Sequence, residues 1–257
     1  VIRRDAPTPP VWILRIAGGL VVAAIWEIAG RHSQSLLLPS FTETVVALRT
    51  LMFSTALWSA LWVSNEALVL GFAAALAIGI PVGLTLGRWR AVARWLDPYV
   101  NLLLVLPTAA LIPIVFMAGG LGLTARVLVV CIFSLPVVAE CARTAVREVD
   151  PRLREMARTF GATTAQEWRT VLLPGAVPGL MTGVRLGLAR AIEGMVVVEL
   201  LLVAVGVGRL LLDFQGRFEA GHTYAVILVV MAEAVMLTQL GHRIERRFSP
   251  LATDGSR

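Results

Sequence analysis

The chain is 257 residues long, 57% hydrophobic and only 16% charged, with a mean hydropathy of +0.79, where a soluble domain carries about 25% charged residues. Apolar runs long enough to cross roughly 30 Å of hydrocarbon recur along it without the alternation of a β-barrel strand, which predicts an all-α polytopic membrane protein. The net charge is +6 and all 23 basic residues are Arg; without Lys there is no Walker A loop, which excludes ATP binding of that kind in this chain.

Residues 1–10 read as a short polar tail with Arg3 and Arg4, and the first span is predicted over residues 12–30. That run is about 20 residues long and lacks a small-x-small cleavage site, so a span is expected rather than a cleaved leader. Arg15 lies one turn inside and is placed to snorkel back to the headgroups. With residues 31–64 this makes an N-terminal region, 1–64, that ends in an extracytoplasmic, partly interfacial segment. There Ser40 or Thr42 suits the cap of a short amphipathic helix, and Trp58 and Trp62 suit a membrane interface.

A transmembrane domain is predicted over residues 65–247. Its second span, 67–86, holds Gly79, Gly83 and Gly87 at intervals of four, with Pro81 between. Such a stripe lets another helix approach closely. The third span, 99–118, carries Pro107 and Pro113, each of which removes a backbone donor and favours a kink. Gly119 to Gly122 form a short outer turn with Arg126 beside it. The fourth span, 125–142, takes in Cys131 and Cys141, which read as small buried hydrophobes rather than a disulfide framework. After a polar stretch, the fifth span, 180–205, opens with a second stripe, Gly179, Gly183 and Gly187. Residues 206–222 form an outer loop or half-buried hairpin, the sixth span is 223–240, and 248–257 is a disordered tail. The candidates for helix packing, a dimer seam or pathway lining are thus Gly79, Gly83, Pro107, Pro113, Gly183 and Gly187.

With both ends inside, the inner segments hold 14 arginines and the outer segments hold five: Arg31, Arg49, Arg126, Arg209 and Arg217. The positive-inside rule therefore places both termini in the cytoplasm and accounts for the basic balance without a nucleic-acid partner.

The longest polar interruption lies in the inner segment 143–174. Asp150 is a good N-cap and Pro151 a good first helical residue. Leu153, Met156, Ala157 and Phe160 then share one face, and Gly161 is a left-handed stop. Thr164 and Glu167 have the spacing of a capping box for a second short helix. Trp168, Val171 and Leu172 give that helix an apolar face, and Pro174 ends it. Arg152, Arg154, Arg158 and Arg169 surround these faces. An apolar face on a cytoplasmic loop calls for a groove on a partner, or else the loop lies on the membrane surface with Arg at the headgroups. A DNA-reading role is set aside because both ends are tethered to the bilayer.

The stretch also holds the pattern E-x-A-x3-G-x9-V-x-L-P, carried by Glu155, Ala157, Gly161, Val171, Leu173 and Pro174. It resembles the EAA coupling motif of the permease subunits of bacterial ABC importers, with Met156 and Val171 in place of the family's Ala and Ile. Looser similarity to the nitrate/sulfonate/taurine branch runs through Leu38-Pro39-Ser40, Gly71-Phe72, Gly79 to Gly83, Asp97-Pro98, Leu111 to Pro113, Val149 to Pro151, and Glu199 to Gly208. Glu66, and Ile192 to Met195, depart from that branch. The resemblance implies a type I (MetI-like) fold of about six transmembrane helices in the bacterial inner membrane. It implies a cytoplasmic coupling helix in which Glu155, Met156, Ala157, Phe160, Gly161, Leu173 and Pro174 meet an ATPase. The implied partners are ABC ATPase subunits, an extracytoplasmic substrate-binding protein and a second permease copy, with a small anion as the solute. It implies no catalysis and no cofactor in this chain, ATP and Mg being held by the ATPase.

Charges inside spans are functional candidates because each costs roughly 2.5–3.5 kcal/mol at mid-bilayer. Arg185, Arg190, Glu193 and Glu199 lie on the fifth span, and the first three share a helical face. They form either a packing ion pair or a positive site for an anionic solute. His32, His222 and His242 are dispersed and give no metal-ligand spacing. A self-sufficient secondary transporter would need an internal repeat with broken helices, and an intramembrane enzyme would need convergent polar groups; the sequence offers neither pattern.

Overall fold

In a computed structural model the described residues, which are 11–33, 37–120, 122–201 and 204–248, are helices joined by short turns. The predicted tails, the Arg15 side chain and the side chains of Arg246 and Arg247 lie outside the described residues. The helices are α1 (Val11–His32), α2 (Phe41–Met52), α3 (Thr55–Arg88), α4 (Arg90–Val105), α5 (Ile112–Gly119), α6 (Leu123–Arg147), α7 (Pro151–Thr159), α8 (Thr164–Glu167), α9 (Leu173–Leu201), α10 (Gly206–Gly216) and α11 (Ala220–Phe248). They group into two units, one of residues 1–58 and 210–229 and the other of residues 59–209 and 230–257.

Among the described residues four helices are long and apolar enough to cross a membrane: Thr55–Arg88, Leu123–Arg147, Thr164–Leu201 and Ala220–Arg243. A bent pair, α4 with the turn and helix Thr108–Gly119, makes a fifth. The first predicted span coincides with α1, so the expectation of about six spans stands as an approximate count.

The second and third spans differ from the sequence reading. The second span begins earlier, because α3 runs unbroken for 34 residues from Thr55 and carries Trp58 and Trp62, both exposed, on its first turns. At 1.5 Å per residue it is about 51 Å long, more than the roughly 30 Å hydrocarbon needs. The third span is not a kinked helix but two pieces meeting at 97°. The break falls at Leu106 and Pro107. Pro113 sits in the first turn of α5, where its missing N–H has no partner to lose, and it starts a helix instead of bending one.

In the first unit, Ser40 caps α2 in a reciprocal capping box with Glu43. Glu27 of α1 accepts from the Thr42 backbone N–H at 2.9 Å, and Trp26 Nε1–H donates to the Pro39 carbonyl at 3.0 Å. The Trp26 ring packs against Phe41 and Tyr224 at 5.6 and 5.8 Å. The start of α2 and the residue Pro39 just before it are thus tied to α1.

In the second unit α6 is the central helix, and both glycine stripes lie on it. A Cβ at Gly71 would stand 2.6 Å from Val130 and at Gly79 3.0 Å from Val138; Gly83 abuts Ala139 and Ala142, and Gly87 abuts Val146. Because these positions rise together, α3 runs parallel to α6. From α9, Gly179 meets Ala145, Gly183 meets Cys141, Gly187 meets Val138 and Gly194 meets Phe133, so α9 runs antiparallel. The glycines offered by the sequence for packing or pathway lining therefore lie against this chain's own α6. On the same helix, Ala125, Val129 and Phe133 pack with Ile112, Phe116 and Val198. Nearer its other end, Arg143 pairs with Asp97 of α4 at 2.9 Å.

A side chain at Gly183 would overlap Cys141, whose Cβ lies 2.8 Å from the position its own Cβ would take. Gly183→Leu is expected to cost about 1–3 kcal/mol, the usual range for overpacking, and to lower the thermal midpoint of the detergent-purified protein. Gly18→Leu, where nothing lies within 4 Å, is expected to leave it unchanged.

Candidate functional site

The segment between α6 and α9 folds as two short helical pieces hinged at a glycine. Asp150 caps α7, accepting from the Arg152 N–H at 2.8 Å, and Pro151 occupies the first turn. At the other end Gly161 takes φ 77°, with its N–H on the Arg158 carbonyl and the Ala162 N–H on the Ala157 carbonyl. That pair of bonds is a Schellman stop. Leu153, Met156 and Phe160 stand exposed along α7, Phe160 to 84%, with Glu155 exposed beside them and Ala157 half-buried.

The second piece departs from its predicted form by one residue. Its N-cap is Thr163, in a reciprocal box with Gln166, rather than Thr164 with Glu167. The shift frees Glu167, which turns inward and is only 3% exposed. It meets Arg154 at 3.0 Å and Arg158 at 3.4 Å, both from α7, and Arg88 from the end of α3 at 3.4 Å. A carboxylate this buried needs compensating charge and hydrogen bonds, and three guanidinium groups supply both.

Trp168 also differs from expectation. Rather than presenting an outward face, it packs inward with Val171 and Leu172 on Ala145, Val146, Val149 and Ala176, and its ring lies 6.1 Å from Trp89. Nor does Pro174 end the segment. Residues Thr164–Leu201 form one helical run of 38 residues. A π turn over Trp168–Leu172, where the Leu173 N–H reaches back to the Trp168 carbonyl, lies just before Pro174. Such wider turns relax the backbone where a proline cannot donate. Leu173 and Pro174 are exposed at the start of α9.

The charges predicted within the fifth span separate into three sites. Arg190 and Glu193 pair at 2.7 Å and remain half exposed, at 55% and 50%. Arg185, expected on the same face, is drawn away to Glu245 of α11 at 3.1 Å. Burial raises the Glu245 carboxyl, but its contacts with Thr182 and His242 and the Arg185 charge outweigh this and hold it below the usual carboxylate range.

Glu199 is fully buried. Its Oε2 accepts from Ser64 Oγ at 2.8 Å and from the Gly208 N–H at 3.1 Å, while the Val207 N–H donates to Ser64 Oγ at 3.0 Å. Arg126 Nη1 lies 3.8 Å from Oε1 and donates to the Val63 carbonyl at 3.0 Å. Arg126 is therefore a buried residue of α6 and not the outer-turn charge expected from its neighbours. Gly206 takes φ 58°, and a Cβ on Gly208 would fall 2.5 Å from that of Glu199. The carboxylate can reach the start of α10 only because both positions lack a side chain.

Sequence reasoning missed the role of Glu167, and it missed Ser64 and Arg126 as the partners of Glu199. Glu167 lies nine and 13 residues after its α7 partners, beyond any helical spacing, and Arg88 is more distant still. For Ser64 no signal existed. For Arg126 the only signal was its place at the edge of an apolar run, where a charge reads as flanking.

Residues 75–250 match the family model described as binding-protein-dependent transport system inner membrane component. The chain belongs to that family. It is a membrane transporter component and not an enzyme. The permease is 32% identical over 195 residues to the taurine transport system permease protein TauC of Escherichia coli K12, covering 76% of this chain and 70% of that one. It is 29% identical over 254 residues to the putative aliphatic sulfonates transport permease protein SsuC of the same strain, covering 93% and 94%. Among solved structures, the MetNI methionine ABC transporter in an inward-facing conformation superposes with a TM-score of 0.61 at 25% identity, over 76% of this chain and 94% of that one.

Removing the carboxylate that holds α7 to α3 leaves three arginines crowded without compensation. Glu167→Ala is expected to destabilise the loop by about 1–3 kcal/mol, the cost of leaving buried polar groups unsatisfied, and to accelerate tryptic cleavage after Arg154 and Arg158 in the purified permease. Limited proteolysis followed by mass mapping reads this directly.

Proposed function

We propose that this chain is the membrane permease subunit of an ATP-driven importer, and that α7 is the helix through which a separate ATPase drives it. The observation that carries this reading is the exposed apolar row Leu153, Met156 and Phe160 on a helix whose back is pinned through Glu167 to α3. A face left open on a helix held that firmly suits insertion into a partner's groove. The spacing of Glu155, Ala157, Gly161, Leu173 and Pro174 supports an EAA-type coupling loop. ATP and Mg belong to the ATPase in this reading, and the chain itself holds no cofactor. The arginine distribution supports a cytoplasmic loop and cytoplasmic termini.

Phe160→Asp removes the most exposed anchor and places a charge where burial is required. Full burial of such a side chain is worth about 1.5–3 kcal/mol, so the variant is expected to lose at least about tenfold in affinity for the ATPase. Co-purification with the ATPase in detergent and substrate-stimulated ATP hydrolysis in liposomes are the measurements. Unchanged assembly and stimulation would show that the loop rests on the membrane surface instead.

The solute of this reading is a small sulfonate or similar anion, handed over by an extracytoplasmic binding protein. The relatives that transport taurine and aliphatic sulfonates support it, as does Arg190. A half-exposed Arg–Glu pair in the middle of a span is costly against lipid. It fits a surface shared with a second permease copy, around an aqueous pathway, where the guanidinium meets the passing anion. Arg190→Gln is expected to slow sulfonate uptake at least about tenfold, by the loss of one charge-assisted hydrogen-bonding group, with the complex still assembled. Uptake at the original rate would remove Arg190 from the pathway.

A further inference from the structure

The turn between α10 and α11 closes in the same way as the stop at Gly161. The Phe218 N–H bonds to the Gln215 carbonyl and the Glu219 N–H to the Phe214 carbonyl, each at 3.0 Å, which is again a Schellman pair. Its left-handed residue is Phe218, with φ 58°. At the first stop that position is a glycine; here it carries a bulky ring, and no other non-glycine among the described residues has a positive φ. An L side chain in this region is disfavoured by the approach of its Cβ to the backbone. A glycine stands two residues earlier, but Gly216 is the last residue of α10 and takes no left-handed φ. The Phe218 ring is 67% exposed, so packing inside this chain does not offset the strain.

The turn is braced. Phe214 stacks on His222 at 4.9 Å and 19°, and His222 pairs with Glu219 at 3.1 Å. Beside the ring lies a cleft of about 410 Å³, lined by Leu37, Gln215, Phe218, Tyr224 and Ile227 among others, and Leu37 is exposed as well. A strained residue on a braced turn, presenting an aromatic ring beside an apolar cleft, has the form of an anchor aimed at a partner of fixed shape. Lipid does not call for this. A fluid bilayer accepts a ring from any face of a helix, with no need for an unfavourable backbone conformation, and the neighbours Gln215, Arg217 and Glu219 are polar.

We propose that Phe218 is an anchor for the extracytoplasmic binding protein, its ring inserting into that protein while the cleft beside it receives an apolar side chain in return. This rests on the function proposed above, which puts the loop 143–174 in the cytoplasm. One crossing by α9 then brings the α10–α11 turn to the outer side, where a binding-protein-dependent permease meets its binding protein. The stability lost in the free turn keeps the ring in position before the partner arrives, so little ordering remains to be done on docking.

The permease is assembled with its ATPase in lipid nanodiscs. The affinity of the cognate binding protein and its stimulation of ATP hydrolysis are measured for wild type, Phe218→Gly and Phe218→Ala, together with the thermal midpoint of each purified permease. Phe218→Gly is expected to raise the midpoint by about 2–4 °C, because glycine takes this φ freely, and at the same time to weaken the affinity at least about tenfold. Phe218→Ala keeps a Cβ in the left-handed region and is expected to lose the affinity without the gain in midpoint. A glycine variant less stable than wild type would show that the ring packs the turn, and would overturn the proposal. So would affinity and stimulation equal to wild type in both variants, or a changed oligomeric state on size exclusion, which would assign the ring to a second copy of the chain. A wild-type complex that the binding protein does not stimulate would remove the proposed function and this inference with it. A stimulated wild type with variants that match it would remove the anchor alone.

Discussion

The close approach of α3 and α9 to α6 is the constraint on which the rest of this structure depends. In a bilayer, helices gain little from hiding apolar surface from one another, because lipid is as apolar as they are. What holds them is contact at backbone distance, and only residues without a side chain permit that distance. Gly71, Gly79, Gly83 and Gly87 supply it on one flank of α6, and Gly179, Gly183, Gly187 and Gly194 on the other. The two rows have opposite senses along α6, which fixes α3 as parallel and α9 as antiparallel. The connection from α3 to α6 must then return across the membrane, and the bent pair α4–α5 does so.

That packing places the ends of α3, α6 and α9 together, and the polar loop is built onto those ends. Leu172 closes the cluster around Ala145, Val146 and Val149 from below, and Glu167 gathers one arginine from α3 and two from α7. The loop is therefore anchored by an apolar plug on one side and an ion cluster on the other, while its remaining apolar row stays open. A buried ion pair contributes little net stability compared with apolar packing of similar volume. Its value here is directional: a displacement of α7 moves Glu167, and Glu167 cannot separate from Arg88 without stranding a charge.

Much of this was legible from the chain, and the rest fails for identifiable reasons. Gly161 was readable as a left-handed stop because an amphipathic turn ran into a lone glycine. The two glycine stripes were readable because a period of four is a helical property. The break in the third span was ambiguous: Pro107 and Pro113 look alike in sequence, and only their positions relative to a helix start decide which one breaks and which one begins. The cap at Thr163 was misplaced by one residue because Thr163 and Thr164 are adjacent and both Gln166 and Glu167 complete a box. Tertiary contact decided between them, since Glu167 has arginines to meet and Gln166 does not. Arg126 was hidden because a charge at the edge of an apolar run reads as solvent-facing, whereas its partner carbonyl on Val63 is far away in the chain.

The continuous helix from Thr164 to Leu201 links the loop to the charges within the span. It is 38 residues long, about 57 Å at 1.5 Å per residue. At one end it carries Glu167, in its middle the Arg190–Glu193 pair, and near its far end Glu199, clasping Ser64 and the first turn of α10. One helical run thus joins the loop directly to the mid-span ion pair. Its helical ladder is relaxed at the π turn Trp168–Leu172, followed by Pro174, and is interrupted again at Pro178 inside α9. That turn lies between the ion cluster and the glycine seam. These breaks lie where α9 leaves the loop, and beyond them the helix is held to α6 by close contact at Gly179, Gly183, Gly187 and Gly194.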